Sequence, residues 1–246
     1  MLSKTHSKYI QSLQHKKLRD AENVFIAEGS KVVPELLQCR KFVCKEILGT
    51  QQWLHQQEAW LRKYYQGPLQ EIQEYELEKI SALSTPNQVL AVFSKAAPAI
   101  ITAKGKINLV LDNIQDPGNL GTIIRIADWF GISNIICAAH SVEMYNPKVV
   151  QSTMGSLGRV NLLYTDIAEW IQKNKPLKIY AAALNGKPVQ EFKGIKEGLI
   201  VIGNESKGIS ENILQMADEK ITIQKNGTAE SLNAAVATGI ILSHIV

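Results

Sequence analysis

The sequence predicts an α/β protein: a C-terminal, mostly parallel sheet covered by helices on both faces, preceded by a smaller α/β domain. Three observations carry this. Beyond Ile107 the apolar runs "INLVLDNI", "NIICAA", "KIYAAAL", "GLIVIG" and "KITIQ" alternate with helical stretches. Near-continuous apolar strands of that kind are buried on both faces. Before residue 95, short strands and helices alternate as well, with less apolar strands. Between the two parts, "KAAPAIITAKGK" (Lys95 to Lys106) is small-residue, punctuated by Pro and Gly, and has little periodicity. The reading is a first domain at 1–96, a linker at 97–106 and a second domain at 107–246.

Taken in order, a basic helix is expected around residues 5–19, then a strand at "VFIAEG". Ser30 is placed to cap a helix through Leu37, and Pro34 is tolerable in its first turn. "CKEILG" reads as a strand. In "QQWLHQQEAWLRKYY", Trp53, Trp60, Leu61 and Tyr64 recur at helical spacing, so one face packs on a core. A short helix near Leu77–Leu83 and a strand at "QVLAVFSK" finish the first domain. In the second, the helix after "INLVLDNI" has Ile123, Ile126, Ala127 and Phe130 as its buried stripe, with Arg125 off it. Three loops that follow strands are rich in Gly, Asn and Ser: 113–121, 203–210 and 225–233. Ligands of parallel sheets sit outside the carboxyl ends of the strands, so these loops are where chemistry is expected.

Composition narrows the class. A hydrophobic fraction of 45% and a charged fraction of 20% belong to a folded chain rather than a disordered one. The start "MLSKTHSKYI" lacks the apolar core of a signal peptide, and the run Ala234 to Leu242 is far short of the roughly 20 residues of a membrane span. A cytoplasmic protein is expected. Cys39, Cys44 and Cys137 have no zinc spacing and the five histidines are scattered, so neither a metal site nor a Cys/His nucleophile is expected. Residues 1–45 hold nine basic side chains against four acidic ones, a local net of +5 within a total of +4. Such a front end suits a polyanionic partner, or a solvated helix face.

The first loop, "DPGNLG", lacks the first glycine of a dinucleotide fingerprint, and "CAAH" stands where a ribose-binding acid belongs. No G-x-x-x-x-G-K-[ST] loop is present. A nicotinamide oxidoreductase and a phosphate-loop enzyme are therefore disfavoured. Arg125, one turn inside the helix start, offers planar donors to an occupant of the loop, or else forms an ion pair with Asp128 or Glu205. Gly203 ends a buried strand, where a missing Cβ lets a ligand lie against the backbone. Glu205 is placed to bond within its loop or to Arg125. Ser231 and Asn233 stand at a helix start whose free N–H groups suit a ligand carboxylate. Ala234, Ala235, Ala237 and Gly239 allow a helix or a partner subunit to approach closely.

These three loops, in this order, resemble the SpoU family of RNA ribose 2′-O-methyltransferases, within the SPOUT superfamily. The motifs are "LDNIQDPGNLGTIIRIADWFG", "IVIGNESKGIS" and "ITIQKNGTAESLNAAVATGI", and the likeness covers Ile107 to the C-terminus. "NPKVVQSTMGSLGRV" is a fourth family-like stretch, with Gly158 where an aromatic residue is common before the arginine. At the front, "LQHKKLRDAENVFIAEGSKVVPELL" and "STPNQVLAVF" resemble the L30e-like RNA-binding domain that many members carry. The resemblance implies a deep trefoil knot near the C-terminus, against the rule that chains do not thread loops. It implies S-adenosylmethionine bound mainly by backbone groups, at Gly203, Ile223 and Leu232. Asn113, Arg125, Glu205, Ser231 and Asn233 would surround the transferred methyl, and Lys16, Lys17 and Arg19 would contact RNA. It implies a homodimer with each active site near the interface. The expected substrate is ribosomal RNA of the 23S type. A tRNA methyltransferase and a non-catalytic RNA-binding module are the alternatives. Family accounts make the motif-one arginine a base, but a guanidinium, which does not give up its proton in proteins, is a poor one. An electrostatic and positioning role is expected for Arg125 instead.

Overall fold

The chain, described here by a computed structural model over residues 1–246, begins with α1 (Lys4–Ser12), α2 (Lys16–Ala21), β1 (Val24–Glu28), α3 (Val32–Gln38), β2 (Cys44–Thr50), α4 (Gln51–Gln56) and α5 (Glu58–Tyr64). β3 (Leu69–Ile72), α6 (Glu74–Ile80) and β4 (Val89–Ser94) follow. Next come β5 (Ile107–Leu111), α7 (Pro117–Trp129), β6 (Asn134–Ala138), α8 (Pro147–Ser152), β7 (Asn161–Thr165) and α9 (Ile167–Lys173). The chain closes with β8 (Ile179–Pro188), β9 (Gly198–Ile202), α10 (Glu211–Leu214), β10 (Glu219–Thr222) and α11 (Ala234–Ile245). Two units form: Met1–Ala97 with Tyr145–Arg159, and Pro98–Met144 with Val160–Val246. The segment that contains α8 thus folds with the first unit although it lies within the second half of the sequence.

The first unit is a four-stranded sheet in the order β1-β4-β2-β3, antiparallel except for β2 and β3. Its strands alternate. Val24, Ile26, Leu90 and Val92 join Ile10, Leu13, Ile72 and Ile80 in one apolar cluster. Phe25 and Phe93 face the other way, stacked 5.5 Å apart, and the Tyr145 ring lies tilted against Phe25 at 4.8 Å. Both faces are covered, so β1 is buried along its whole length.

Several elements differ from expectation for identifiable reasons. The basic helix is two helices. Arg19, on α2, turns back and donates to the carbonyls of Leu13 (2.9 Å) and Gln14 (2.7 Å), just beyond the end of α1. It is only 2% exposed, so an RNA contact through Arg19 is corrected to a structural role in closing a helix end. Lys16 pairs with Asp20, one turn away, and Lys17 lies on the surface. Ser30 is not a helix cap: α3 starts after Lys31, and the Ser30 hydroxyl donates to Asn87 (3.4 Å). The helix over 51–65 breaks at Gln57, with Trp53 buried and Trp60 tilted against Tyr64 at 5.0 Å. α6 stops at Ile80, short of Leu83. There the Ser81 hydroxyl and the Ala82 N–H both donate to Glu28, and burial pushes that carboxyl above the usual glutamate range.

The second unit is a six-stranded, all-parallel sheet, order β10-β8-β9-β5-β6-β7. β7, half-buried at the sheet edge, is a strand that apolar runs alone did not reveal. The chain moves outward from β5 through β6 to β7, then crosses to β8, and β9 inserts between β8 and β5. The direction of winding therefore reverses beside β5 and β9. Crevices at such points, outside the carboxyl ends of the strands, are where open α/β sheets bind ligands. α7 buries Leu120, Ile123, Ile124 and Ala127, while Ile126 and Phe130 are half-buried, so its inner face is rotated from the expected stripe. Ile126 instead meets α11: its Cδ1 lies 3.6 Å from the position a Cβ would take on Gly239. The small residues of α11 serve this packing within the chain. No helix is long and apolar enough to cross a membrane.

Candidate active site

At the carboxyl edge of the second sheet, the loops after β5, β9 and β10 meet. Buried Asp112, just past β5, fastens the first loop to the second. Its N–H donates to Ile202 (2.9 Å), and one carboxylate oxygen accepts from both the N–H and the hydroxyl of Ser210 (2.6 Å each). Asn204 bonds to the Asn113 carbonyl (2.9 Å), while its own side-chain oxygen takes the N–H groups of Ser206 and Lys207. The second loop closes on itself through paired bonds between Asn204 and Gly208. A Cβ on Gly203 would lie 2.3 Å from the Gly208 carbonyl carbon and 2.4 Å from the Ile209 nitrogen. The glycine is required first by the turn of its own loop, a reason the sequence did not show.

A directed relay then joins all three loops. Asp116 caps α7 by accepting from the Asn119 N–H (2.8 Å). The Asn119 side-chain NH2 donates to Glu205, and its oxygen accepts from the Asn233 NH2 (2.8 Å). The Asn233 oxygen caps α11, accepting from Ala235 (3.0 Å) and Val236 (3.2 Å). Chemistry fixes the direction. An ionised carboxylate only accepts, so the amide NH2 of Asn119 must face Glu205, which leaves its oxygen for Asn233. The helix start is thereby capped by Asn233 itself, whose side chain takes the N–H groups of Ala235 and Val236.

The predicted residues take different places. Glu205 and Asn233 are joined through Asn119, which sequence reasoning passed over. Its signal was a polar side chain in the first turn of α7, three residues after the cap Asp116. Asn113 is outside the relay. It has φ +59, its side chain donates to Asp112 at 3.4 Å, and its carbonyl holds Asn204. It sits in the turn that leaves β5. Arg125 is exposed and forms no ion pair or hydrogen bond within the chain, so neither Asp128 nor Glu205 neutralises it. Ser231 and Leu232 are exposed on the third loop, and Ile223 is half-buried where the loop leaves β10. From Lys225 to Leu232 no backbone group is hydrogen-bonded within the chain. This stretch, which runs up to the relay's Asn233, leaves its backbone donors and acceptors unpaired. No group of three His, Cys, Asp or Glu side chains is placed to hold a metal ion.

Residues 106–243 match the model of the SpoU rRNA methylase family, and residues 4–91 match that of an MRM3-like substrate binding domain. The 23S rRNA (guanosine(2553)-2′-O)-methyltransferase RlmP of Bacillus subtilis (strain 168) is 31% identical over 240 residues, which cover 96% of this chain and 93% of that protein. An AdoMet-bound rRNA methyltransferase from Sinorhizobium meliloti superposes with a TM-score of 0.86 at 29% identity, covering 100% of this chain and 96% of the other. A TrmH-family protein from Porphyromonas gingivalis gives 0.87 at 32%, covering 100% and 98%.

Proposed function

Because the chain belongs to the SpoU rRNA methylase family, we propose that it transfers a methyl group from S-adenosylmethionine to a ribose 2′-hydroxyl of 23S-type ribosomal RNA in the cytoplasm. The observation that carries this is the relay Glu205–Asn119–Asn233, with an unpaired Arg125 six residues beyond Asn119 on the same helix. The ribosomal choice rests on the likeness to RlmP, which runs through both units.

The residues present fit the cofactor. Its adenosine and amino-acid ends call for many directional polar contacts, which the unpaired backbone of Lys225 to Leu232 offers, together with Gly203 and Ile223 at the strand ends. Its sulfonium calls for a nearby negative charge, which Glu205 provides. When bound, S-adenosylmethionine supplies an electrophilic methyl group. The chain's task is to bring the 2′-oxygen into line and to favour loss of its proton. Arg125 holds the adjacent phosphate and the charge that develops on the oxygen, since its guanidinium stays protonated and presents a fork of donors. Ser231, exposed beside the relay, positions the ribose. Lys17 adds charge for RNA on the first unit.

The active form is a homodimer. Trp129 is 84% exposed, and Leu232 and Val236 are 46% and 51% exposed at the start of the neighbouring α11. Apolar side chains of this size, left open on two helices packed together, are the chemistry of an interface core.

Transfer of labelled methyl from S-adenosylmethionine to deproteinised 23S-type rRNA, read as a gap in the alkaline hydrolysis ladder, tests the reaction. A 2′-O-methyl group removes the hydroxyl that hydrolysis requires. Label in tRNA alone would move the activity to the other substrate class, and no label in either would sink the reading.

A further inference from the structure

At the opposite, amino edge of the second sheet lies a cleft of about 320 Å³. It is lined by Lys106 at the start of β5, Phe130, Ile132 and Ser133 between α7 and β6, and Ile195 and Lys196 ahead of β9. The floor is apolar and the rim is cationic. Lys104 and Lys193 lie on the same two segments, exposed like Lys106 and Lys196. The segments are tied together: the Gly198 N–H donates to the Lys106 carbonyl (3.1 Å), and the Gly105 N–H donates to Glu197.

None of these four ammonium groups has an ion-pair or hydrogen-bond partner in the chain. Elsewhere in the unit, Lys173, Lys178 and Lys187 are each paired with a glutamate, while Lys175, Lys207, Lys220 and Lys225 are unpaired as well. What sets Lys104, Lys106, Lys193 and Lys196 apart is that they gather on two adjoining segments at one cleft. Glu197, beside the cluster, is engaged with backbone, and Val246, the last residue, brings its terminal carboxylate to the lining, so the four lysines remain in excess. Like charges gathered in excess of their counter-charges repel one another, and an anion placed among them relieves that repulsion. An apolar floor beneath such a rim suits a nucleotide, with its base on Phe130 and the isoleucines and its phosphates on the lysines.

The 13 residues of α7 span about 20 Å between the three loops and this cleft, at about 1.5 Å per residue. A strand held at the loops can reach it with nucleotides that flank the target. We propose that the cleft binds a flanking nucleotide of the substrate RNA, its phosphates on Lys106 and Lys196. The proposal rests on the reading that the substrate is RNA.

The test is filter binding of the full-length protein to deproteinised 23S-type rRNA across a range of KCl concentrations. Lys106→Ala with Lys196→Ala should reduce the slope of log affinity against log salt by about 1.4, at about 0.7 per single-strand phosphate. The double variant should also raise KM for the RNA about tenfold, leaving kcat and S-adenosylmethionine affinity unchanged. The matching pair of Lys→Arg substitutions should keep the wild-type slope. A wild-type slope in the alanine variant would overturn the proposal. So would a change in its sedimenting mass, which would assign the cleft to contact between copies. Uridine monophosphate binding there with an unchanged RNA slope would assign it to a free nucleotide and likewise overturn it. Failure of the methyl-transfer reading is separate, since it would show as no label in the wild-type protein whatever the slope.

Discussion

Asn119 illustrates how one side chain acquires a role from its partners. Its two ends are chemically different, and Glu205 and Asn233 take one end each. Replacing it would free a carboxylate and a helix cap at once. Arg125 is the opposite case, a group with no partner in the chain and its full charge available. Arg125→Ala should lower kcat about 100-fold, the scale for removing a donor from a developing oxyanion. Arg125→Lys keeps the charge and loses the fork, and should recover only part of that. Single-turnover methylation checks both, and a lysine variant at the wild-type rate would refute the positioning role. Arg19 could be sorted from Lys17 only by burial. The two are alike in a list of basic residues, yet one closes a helix end inside the protein and the other meets solvent.

Among the elements, the segment around α8 shows why a departure from the family pattern is not a defect. Gly158 stands where an aromatic residue is common, and in this fold a Cβ there would lie 2.3 Å from the Cys39 sulfur. Cys39 follows α3, and its thiol donates to the Leu36 carbonyl (3.0 Å). The contact is fastened by Lys41 donating to Leu157 (3.2 Å) and Arg159 pairing with Glu35 (2.7 Å). Gly158→Ala should therefore destabilise the protein by about 1–3 kcal/mol, the usual cost of overfilling a packed site. Urea unfolding measures this, and Cys39→Gly in the same chain should recover part of the loss. If Gly158→Ala proved neutral, the packing account would be wrong. The breaks at residues 13–15 and at Gln57 belong to the same scale, because helical periodicity runs on through a tight turn that tertiary contacts impose.

For the whole molecule, the exposed Trp129, Leu232 and Val236 set the expectation that two copies associate. Val236→Glu buries a charge in such an interface and should shift the protein to monomer while the chain stays folded. Analytical ultracentrifugation reads the mass, and circular dichroism reads the fold. A wild-type protein that sediments as a monomer would remove the homodimer from the mechanism.

The two-part α/β organisation, the parallel second sheet and the three loops at its carboxyl edge were readable from residue order alone. Apolar runs, turn residues and helical spacing are local signals, and the local backbone obeys them. Which polar side chains act together was not readable there. The Asn119–Glu205 bond spans 86 residues and the Asn119–Asn233 bond spans 114. The placement of α8 with the first unit, the burial of Arg19 and the isolation of Arg125 are of the same kind. Hydrogen bonds and burial depend on distance in space, and only the folded chain brings those distant positions together.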